Sequence, residues 1–469
     1  MFQLCLERRN EGHQLNLNVF QAGLWGFFRP PIRLLWRIFS RVAGGVILVF
    51  STLVWTLRLL RHTSTFFKSD VVVLMTSPTS FAHTVVGPDT ARRLYSGKRC
   101  LFLISSLRFE YNKAVRLLWP DIVVIFFSRF MFAVSYKHRV VAIPFITWHD
   151  KMAVTVTRIF SRLVAGRKAV FLTLIELYEE MLETYGHANP SPEWAKGKSK
   201  VSFEITTAIL KLQSSVPSSP IRFPEPIRGD IAKRLLKAWE QFDGTSPPKI
   251  CCLYIRNEKR ESWAQLRNGS DLQSHLPAVK LLNKAGYQVL LTGDYNLDQK
   301  TKQDFRGGLV NAAAIGIGND LYQPFAATEA DIFIGNNGGG EAFTTVNNTP
   351  CLCLNWFPYF CGRRNAWVYF KSARDEAGRI LPGRRLITDF VYDCEASFGT
   401  LLNNTEEEIT DAVACFIEDV AKPDTSDPYA DIAALIPHDT QFHLTGARLS
   451  PAWVRRNILN EIETESATA

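Results

Sequence analysis

The 469-residue sequence has no CxxC pair, no zinc-ligand spacing and no helix-turn-helix signature. Its nine cysteines are scattered, which indicates reduced core thiols in a cytoplasmic compartment rather than a disulfide framework. Without a nucleic-acid-binding motif, a nucleic-acid partner has little support. Low-complexity tracts and internal repeats are also missing, and the length exceeds one ordinary core. The sequence therefore predicts two globular domains and an additional segment.

The uncharged, apolar run at residues 42–57 is slightly shorter than the roughly 20 residues that a spanning helix needs. Much of the net charge of +9 lies in the first hundred residues, which favours an acidic membrane surface as a partner. Four arginines recur at helical spacing beside an apolar, aromatic face, a pattern typical of an interfacial helix: Arg29, Arg33, Arg37 and Arg41. No signal-peptide cleavage site follows. We predict a membrane-associated segment at residues 1–65 that contacts an anionic surface through residues 29–61. A transmembrane helix, an interfacial helix and a buried core helix all remain open.

The rest of the chain alternates short apolar runs with helical patterns, which predicts parallel sheets of an α/β protein. Predicted strands are Val71–Met75, Cys100–Ile104, Ile122–Phe127, Lys168–Leu172, Ile250–Ile255, Tyr287–Leu291, Asp331–Ile334 and Cys351–Leu354. Predicted helices are Ile231–Phe242, Leu276–Ala285 and Glu406–Ile417, the last capped by Thr405. The proline-rich stretch Pro217–Pro226 is the expected linker. We place an N-terminal domain at 66–225, a C-terminal domain at 226–425 and a tail at 426–469.

A glycine cluster follows one of these strands, in the segment Asp331–Glu341. A strand, a glycine loop and a helix N-terminus can together bind an anion, because backbone N–H groups and the helix dipole point at the same place. Glycine allows a phosphate to approach the backbone closely. A tight turn in an α/β sheet is the alternative. The next strand ends in Asn355-Trp356 and delivers its loop to the same edge, where open α/β sheets bind ligands.

Another strand runs directly into Arg256. An arginine there can make bidentate contacts to a diphosphate and stabilise a leaving nucleotide, which is needed where no metal does so. A solvated charge run, with Lys259 and Arg260, is the alternative reading. Asp271 or Ser270 is expected to cap the following helix. Gly293-Asp294 closes the next strand at the same edge of the sheet.

Two Rossmann-like halves joined by a proline-rich linker are the layout of a GT-B glycosyltransferase, although some sugar-nucleotide epimerases share it. The collinear motifs from Ile250 to Val420 resemble a family of mostly uncharacterised bacterial glycosyltransferases found among cell-surface polysaccharide genes. The motifs are Leu253–Arg256, Arg267-Asn268, Asp271, Leu276-Pro-Ala, Gly293-Asp294, Asp331–Gly335, Asn355–Pro358, Leu386–Asp389 and Asn403–Ile409. Where that family is expected to carry a Ser-Gly pair, this chain has Gly338-Gly339. Backbone contacts to a donor survive that change, whereas a serine contact does not.

The motifs and the resemblance together predict a nucleotide-sugar donor site in the C-terminal domain. Its expected members are Arg256, Arg267, Asn268, Asp271, Gly293, Asp294, Gly335, Asn336, Asn337, Gly338, Gly339, Gly340, Glu341, Asn355 and Trp356. We expect Arg256 and the Gly338–Gly340 amides to hold the diphosphate, and Asn355 and Trp356 to line the nucleotide or sugar pocket.

A base for the acceptor hydroxyl is expected in the N-terminal domain. His83 is the first candidate, on a predicted loop Ser77–Asp89, with Asp89 as its orienter or as an alternative base. A structural loop histidine is the competing interpretation, and His149-Asp150 is a second pair. No DxD pair is present, so no metal or cofactor is expected beyond the donor. The sequence therefore predicts a glycosyltransferase on the cytoplasmic face of a bacterial inner membrane, acting on a glycan or lipid-linked acceptor. An epimerase and a non-catalytic scaffold are the alternatives.

Overall fold

The computed structural model describes residues 49–76, 81–106, 113–128, 139–166, 169–186, 197–242, 247–257, 266–269, 271–293, 295–393, 395–422 and 427–460. The chain forms two compact units. Unit 1 comprises Met1–Tyr111 and Asp121–Leu212, and unit 2 comprises Asn112–Pro120 and Gln213–Ala469. The arginine stripe Arg29–Arg41 lies outside the described residues. Within the ranges above, no helix is both long and apolar enough to cross a bilayer.

Unit 1 is built on a four-stranded parallel sheet in the order β3-β2-β1-β4. The strands are β1 (Val71–Thr76), β2 (Cys100–Ser106), β3 (Ile122–Ser128) and β4 (Val170–Thr173). All four were expected from their continuous apolar runs, which suit strands covered on both faces. Helices of this unit are α1 (Thr63–Phe67), α2 (Phe81–Leu94), α3 (Arg139–Val164), α4 (Leu174–Tyr185) and α5 (Gly197–Ser215). Residues 49–60, ahead of α1, are helical as well.

One expectation for unit 1 is wrong: most of the predicted loop Ser77–Asp89 belongs to helix α2. Gly87 and Pro88 suggested a turn, yet both lie inside the helix. A Cβ on Gly87 would come within 3.0 Å of the Phe102 ring, so this glycine permits close packing of α2 on the sheet. Tertiary packing therefore overrides the local turn signal.

Unit 2 contains a seven-stranded sheet in the order β13-β10-β9-β8-β5-β6-β7, parallel throughout. Its strands are β5 (Lys249–Ile255), β6 (Tyr287–Gly293), β7 (Leu309–Val310), β8 (Ile332–Gly335), β9 (Cys351–Trp356), β10 (Ala366–Phe370) and β13 (Arg448–Leu449). A separate antiparallel pair is formed by β11 (Ser372–Arg374) and β12 (Thr400–Leu402). Because β6 pairs with one side of β5 and β8 with the other, the strand order reverses at β5, which is where such sheets form a binding crevice.

Helices of unit 2 are α6 (Glu225–Trp239), α7 (Leu276–Lys284), α8 (Gln299–Phe305), α9 (Asn319–Thr328), α10 (Ala342–Asn347), α11 (Gly383–Thr388), α12 (Glu406–Val420), α13 (Ala430–Ala433), α14 (Gln441–Thr445) and α15 (Pro451–Val454). The predicted cap of α12 is confirmed as a full capping box between Thr405 and Glu408. Residues 217–224 form neither helix nor strand, as their prolines predict, and α6 begins directly after them.

Candidate functional site

The reversal point of the unit 2 sheet brings Arg256 beside Asn336, each directly after its strand. The Asn336 side chain is buried and joins three backbone segments. Its Oδ1 accepts from the Arg256 N–H at 2.9 Å, and its Nδ2 donates to the Arg267 carbonyl at 2.7 Å. The Gly269 N–H donates to the Arg256 carbonyl at 3.0 Å. Asn336 thus ties the loop at 267–269 across the carboxyl edge of the sheet and holds Arg256 in place.

The glycine loop is shaped by an aromatic ring that sequence reasoning did not single out. A Cβ on Gly340 would come within 2.9 Å of the Tyr254 ring, and one on Gly338 would clash with the same ring. These glycines are therefore explained by packing on Tyr254 before any ligand is considered. The following helix α10 has only six residues, after a 3-10 turn at Gly339–Glu341. Such a short helix supplies less dipole than predicted, so side-chain cations are the main source of positive charge here.

Three arginines share this edge, and one of them, Arg363, was not predicted. The Arg363 guanidinium pairs with Glu341 at 2.5 Å, and both side chains are nearly buried. Burial opposes the charge of Arg363, but Glu341, Cys361 and Cys353 together outweigh burial, so the pKa of the guanidinium is raised. The pKa of Arg267 is lowered to about 10, mainly by burial. The like charges of Arg363 and Arg256 also lower this pKa, whereas Cys361 and Glu341 raise it. Three guanidinium groups are thus brought together at this edge, and such a group of arginines suits an anion.

Asn355 and Trp356 do not match the prediction that they line a pocket, because both are buried in the unit 2 core. Asn355 adopts a left-handed backbone conformation (φ 52°) and exchanges two hydrogen bonds with Asn404, at 2.5 and 2.6 Å. The Trp356 ring lies 5.3 Å from the Arg363 guanidinium carbon, and its indole N–H donates to the Cys361 carbonyl. Trp356 is therefore a platform for Arg363. Asn355 holds the end of β9 against the segment that carries Asn404.

The remaining predicted donor residues have various positions. Asp271 accepts from the Ser274 N–H at 3.0 Å and from its hydroxyl at 2.8 Å, which fixes the turn ahead of α7. It does not cap α7 as expected, because that helix begins after His275 with no side-chain cap. Gly293 has φ 97°, and a Cβ there would overlap the Ile255 carbonyl. A Cβ on Gly335 would come within 2.5 Å of the Tyr254 carbonyl oxygen.

The Asn337 Nδ2 donates to the Phe357 carbonyl. Asn268 lies in the loop that crosses the sheet edge, whereas Ser270, Asp294, Lys259 and Arg260 lie outside the described residues.

The predicted acceptor residues are in helix α2 of unit 1. Asp89 is buried, and its carboxylate is paired with Arg92 at 2.9 Å and with Arg93 at 3.0 Å. This arrangement gives Asp89 a structural role in the helix. The side chain of His83 lies outside the described residues, so its assignment as the base stays a prediction.

A polar cavity of about 140 Å³ opens beyond the end of β6. Sequence reasoning missed it, although amide side chains are frequent in the segments that form it. Ligand pockets commonly measure roughly 300–1,000 Å³, so this one fits a part of a nucleotide sugar rather than the whole. Tyr295 lines it and accepts from the Asn257 side chain at 3.0 Å, one residue after Arg256. Other lining residues are Leu291, Thr292, Gly293, Asn296, Asn311, Asn319, Tyr322 and Gln323.

No protein-family model and no curated protein sequence match this chain. Among solved structures it is similar to a family 9 glycosyl transferase from Veillonella parvula, at 9% identity and a TM-score of 0.42, over 74% of this chain and 97% of that one. The E. coli ADP-heptose LPS heptosyltransferase II matches at 12% identity and 0.37, over 74% and 99%. The wall teichoic acid polymerase TagF matches at 10% and 0.26, over 68% and 78%. At such TM-scores this likeness decides nothing about activity, which has to follow from the residues themselves.

Among the described residues, no group of histidine, cysteine and acidic side chains could hold a metal ion. What the described residues do show at this site is a group of positively charged side chains, those of Arg256, Arg267 and Arg363. Metal independence of the protein stays a prediction.

Lys371, directly after β10, is a further buried cation that sequence reasoning missed. Its side chain is only 3% exposed, and its Nζ donates to the Asn403 Oδ1 at 2.5 Å. The Asn403 Nδ2 in turn donates to the Gly269 carbonyl at 3.0 Å, on the loop that crosses the sheet edge. Burial lowers the pKa of Lys371 from 10.5 to about 8. A buried lysine of this kind costs stability, which points to a functional reason for keeping it.

Replacing Lys371 with methionine is expected to raise the free energy of unfolding at pH 7 by about 1 kcal/mol or more. Because the folded pKa is depressed, the cost of the buried charge is fully present below pH 8. That cost is relieved as the pH rises from about 8 towards 10.5, so the wild type gains stability across this window. Urea unfolding at pH 7 and pH 9.5 measures both effects. The control is Lys249→Met, at an exposed position. A variant less stable than the wild type at pH 7 would mean that the lysine hydrogen bonds outweigh its desolvation.

Proposed function

We propose that this protein is a GT-B glycosyltransferase that binds a nucleotide sugar in unit 2 and transfers its sugar to an acceptor. The observation that carries the proposal is the cluster of Arg256, Arg267 and Arg363 at the strand-order reversal, with Glu341 as its nearby carboxylate. A diphosphate carries the kind of negative charge that a cluster of guanidinium groups binds. Guanidinium groups bind it in bidentate fashion and remain charged at every physiological pH.

The cationic cluster also explains how the reaction could be promoted. In the proposed step, an acceptor oxygen forms a bond to the anomeric carbon while the bond from that carbon to the phosphate oxygen breaks. The nucleoside diphosphate leaves with the electron pair, and the acceptor proton passes to a base. Arg256 and Arg363 stabilise the charge that develops on the leaving diphosphate. For an inverting transfer, we propose His83 of unit 1 as the base.

The polar cavity beyond β6 gives the donor a second anchoring point. It lies next to Gly293 and to Tyr295, which is hydrogen-bonded to the residue after Arg256. Amide side chains can both donate and accept hydrogen bonds, as recognition of a base or a sugar hydroxyl requires. We propose that one end of the donor occupies this cavity while the diphosphate contacts the arginines.

We propose a glycan or a lipid-linked glycan as acceptor and the cytoplasmic face of a bacterial inner membrane as the place of action. The basic, apolar N-terminal segment supports this location, since a lipid-linked acceptor is confined to the bilayer surface.

Calorimetric titration of the full-length protein with UDP-, GDP-, ADP-, CMP- and dTDP-sugars tests the proposal. We expect one nucleotide class to bind with a dissociation constant in the micromolar range, and the free nucleotide to compete with it. Incubation of that donor without acceptor, followed by NMR of the sugar, separates transfer from epimerisation. Conversion of the free donor to an epimer would overturn the transferase assignment. Failure of a demonstrably folded protein to bind any of the five would remove the donor site.

A further inference from the structure

The helix at residues 49–60 is part of the unit 1 core along one face. Ser51, Trp55 and Leu59 follow each other at four-residue intervals and are 4%, 2% and 0% exposed. The Trp55 indole N–H donates to the Thr157 hydroxyl of α3 at 2.9 Å, and its ring lies 4.8 Å from that of Phe127. This face joins a hydrophobic cluster with Leu101, Leu103 and other residues of the sheet. The helix is therefore fastened along the side of unit 1.

The opposite face of the same helix is apolar and exposed. Its residues are Val49, Phe50, Leu53, Leu57 and Leu60, each at least 50% exposed. Their spacing places them on the side of the helix away from Trp55 and Leu59. A helix that is apolar on both faces needs a second apolar environment besides the core of its own domain.

Two more elements of unit 1 carry exposed apolar side chains. In α1, Phe66 is buried against Phe160 with ring centroids 5.0 Å apart, whereas the next residue, Phe67, is 72% exposed. On α3, the same helix that carries Thr157 and Phe160, Ile159 is 54% and Leu163 is 78% exposed. We name the set of Val49, Phe50, Leu53, Leu57, Leu60, Phe67, Ile159 and Leu163 the apolar patch. Single exposed apolar residues are ordinary, but several on adjoining helices mark an interaction surface.

The stretch of chain that carries Val49 to Phe67 has charged residues of one sign. No Asp or Glu occurs between Gly12 and Ser69. The same stretch contains seven basic residues: Arg29, Arg33, Arg37, Arg41, Arg58, Arg61 and Lys68. Of these, Arg61 and Lys68 are exposed beside the apolar patch, and so is Arg162 on α3. An apolar surface with a basic border matches the boundary between the acyl chains and the headgroups of an anionic bilayer.

We propose that the apolar patch docks unit 1 on an anionic lipid surface, with the 49–60 helix lying in the plane of the interface. Its exposed apolar side chains would enter the acyl boundary while the basic border meets lipid phosphates. The face with Trp55 and Leu59 stays in the domain core, so the stretch acts as an interfacial anchor. A second copy of the chain fits less well, since its basic border would face an equally basic one. This inference builds on the membrane partner proposed above, but it does not involve the donor site, and either can fail alone.

Vesicle co-sedimentation of the full-length protein tests this docking surface. The vesicles contain phosphatidylethanolamine with phosphatidylglycerol, and vesicles of phosphatidylcholine alone provide the uncharged comparison. The double variant Leu53→Glu/Leu57→Glu is expected to lower partitioning to the anionic vesicles by about tenfold or more, because two inserted leucines are lost. The wild type is expected to bind the phosphatidylcholine vesicles weakly.

The control variant is Ile380→Glu, which changes an equally exposed apolar residue (52%) in unit 2 and should leave partitioning unchanged. Circular dichroism verifies that each variant is folded. Undiminished binding of a folded double variant would overturn the proposal and assign the binding to other parts of the chain. Lipid-free self-association of the wild type that the double variant abolishes would instead assign the patch to a second copy.

Discussion

Replacing Arg256 with alanine is expected to weaken nucleotide-sugar binding by about tenfold or more and to slow transfer by about a hundredfold. Arg256 follows the strand at which the sheet order reverses, and its backbone is held by the buried Asn336 side chain. The substitution removes a bidentate donor and leaves that backbone frame intact. Calorimetry and initial rates with the identified donor measure the two effects.

Two further variants make this test specific. Arg256→Lys keeps the charge but loses the planar pair of donors, so it should bind the donor more weakly than wild type and more tightly than alanine. Arg379→Ala removes an arginine whose side chain is 80% exposed and paired with Asp375, and it should change neither quantity. Donor affinity that is the same in Arg256→Ala and wild type would show that the diphosphate does not lie at this edge.

Replacing Asp89 with asparagine is expected to lower the free energy of unfolding by about 3–5 kcal/mol. The side chains of Arg92 and Arg93 are 1% and 2% exposed, and Asp89 pairs with both of them. Asparagine keeps the shape of the side chain but removes the carboxylate that the two buried guanidinium groups share, while Arg92 keeps its contact with Asp121 at 3.4 Å. Urea unfolding followed by circular dichroism measures the loss.

The comparison for Asp89 is Asp70→Ala, in the same unit. Asp70 pairs with Arg99 at the surface, where both side chains are largely exposed, so its loss should change stability much less. A fully stable Asp89→Asn protein that has lost transfer activity would contradict the structural role and support Asp89 as a group acting on the acceptor.

The strands of both sheets could be predicted because buried parallel strands read as continuous apolar runs, such as Val71–Met75. The position of Arg256 followed from the same signal, since a residue after a parallel strand lies at the ligand-binding edge. The cap at Thr405 is equally local, because the capping box is complete within four residues.

Arg363 and Lys371 could not be predicted in this way. Arg363 follows β9 in an irregular segment, and its importance depends on Glu341, 22 residues earlier. Lys371 follows β10, a strand that sequence reasoning did not identify, and contacts Asn403, 32 residues later. Neither pairing can be recognised in the sequence, because no fixed residue spacing marks it.

The chain's own pattern of apolar runs, caps and terminal arginines determines an α/β protein with a cationic edge on its second sheet. Those features depend on neighbours within a few residues along the chain. Tertiary structure alone decides why the loop glycines are needed, since only packing brings the Tyr254 ring over Gly338 and Gly340. It also decides that Asn355 and Trp356 are buried supports, and that Asp89 is held by two arginines inside a helix. Burial and charge pairing are properties of what surrounds a side chain, and distant segments supply those surroundings.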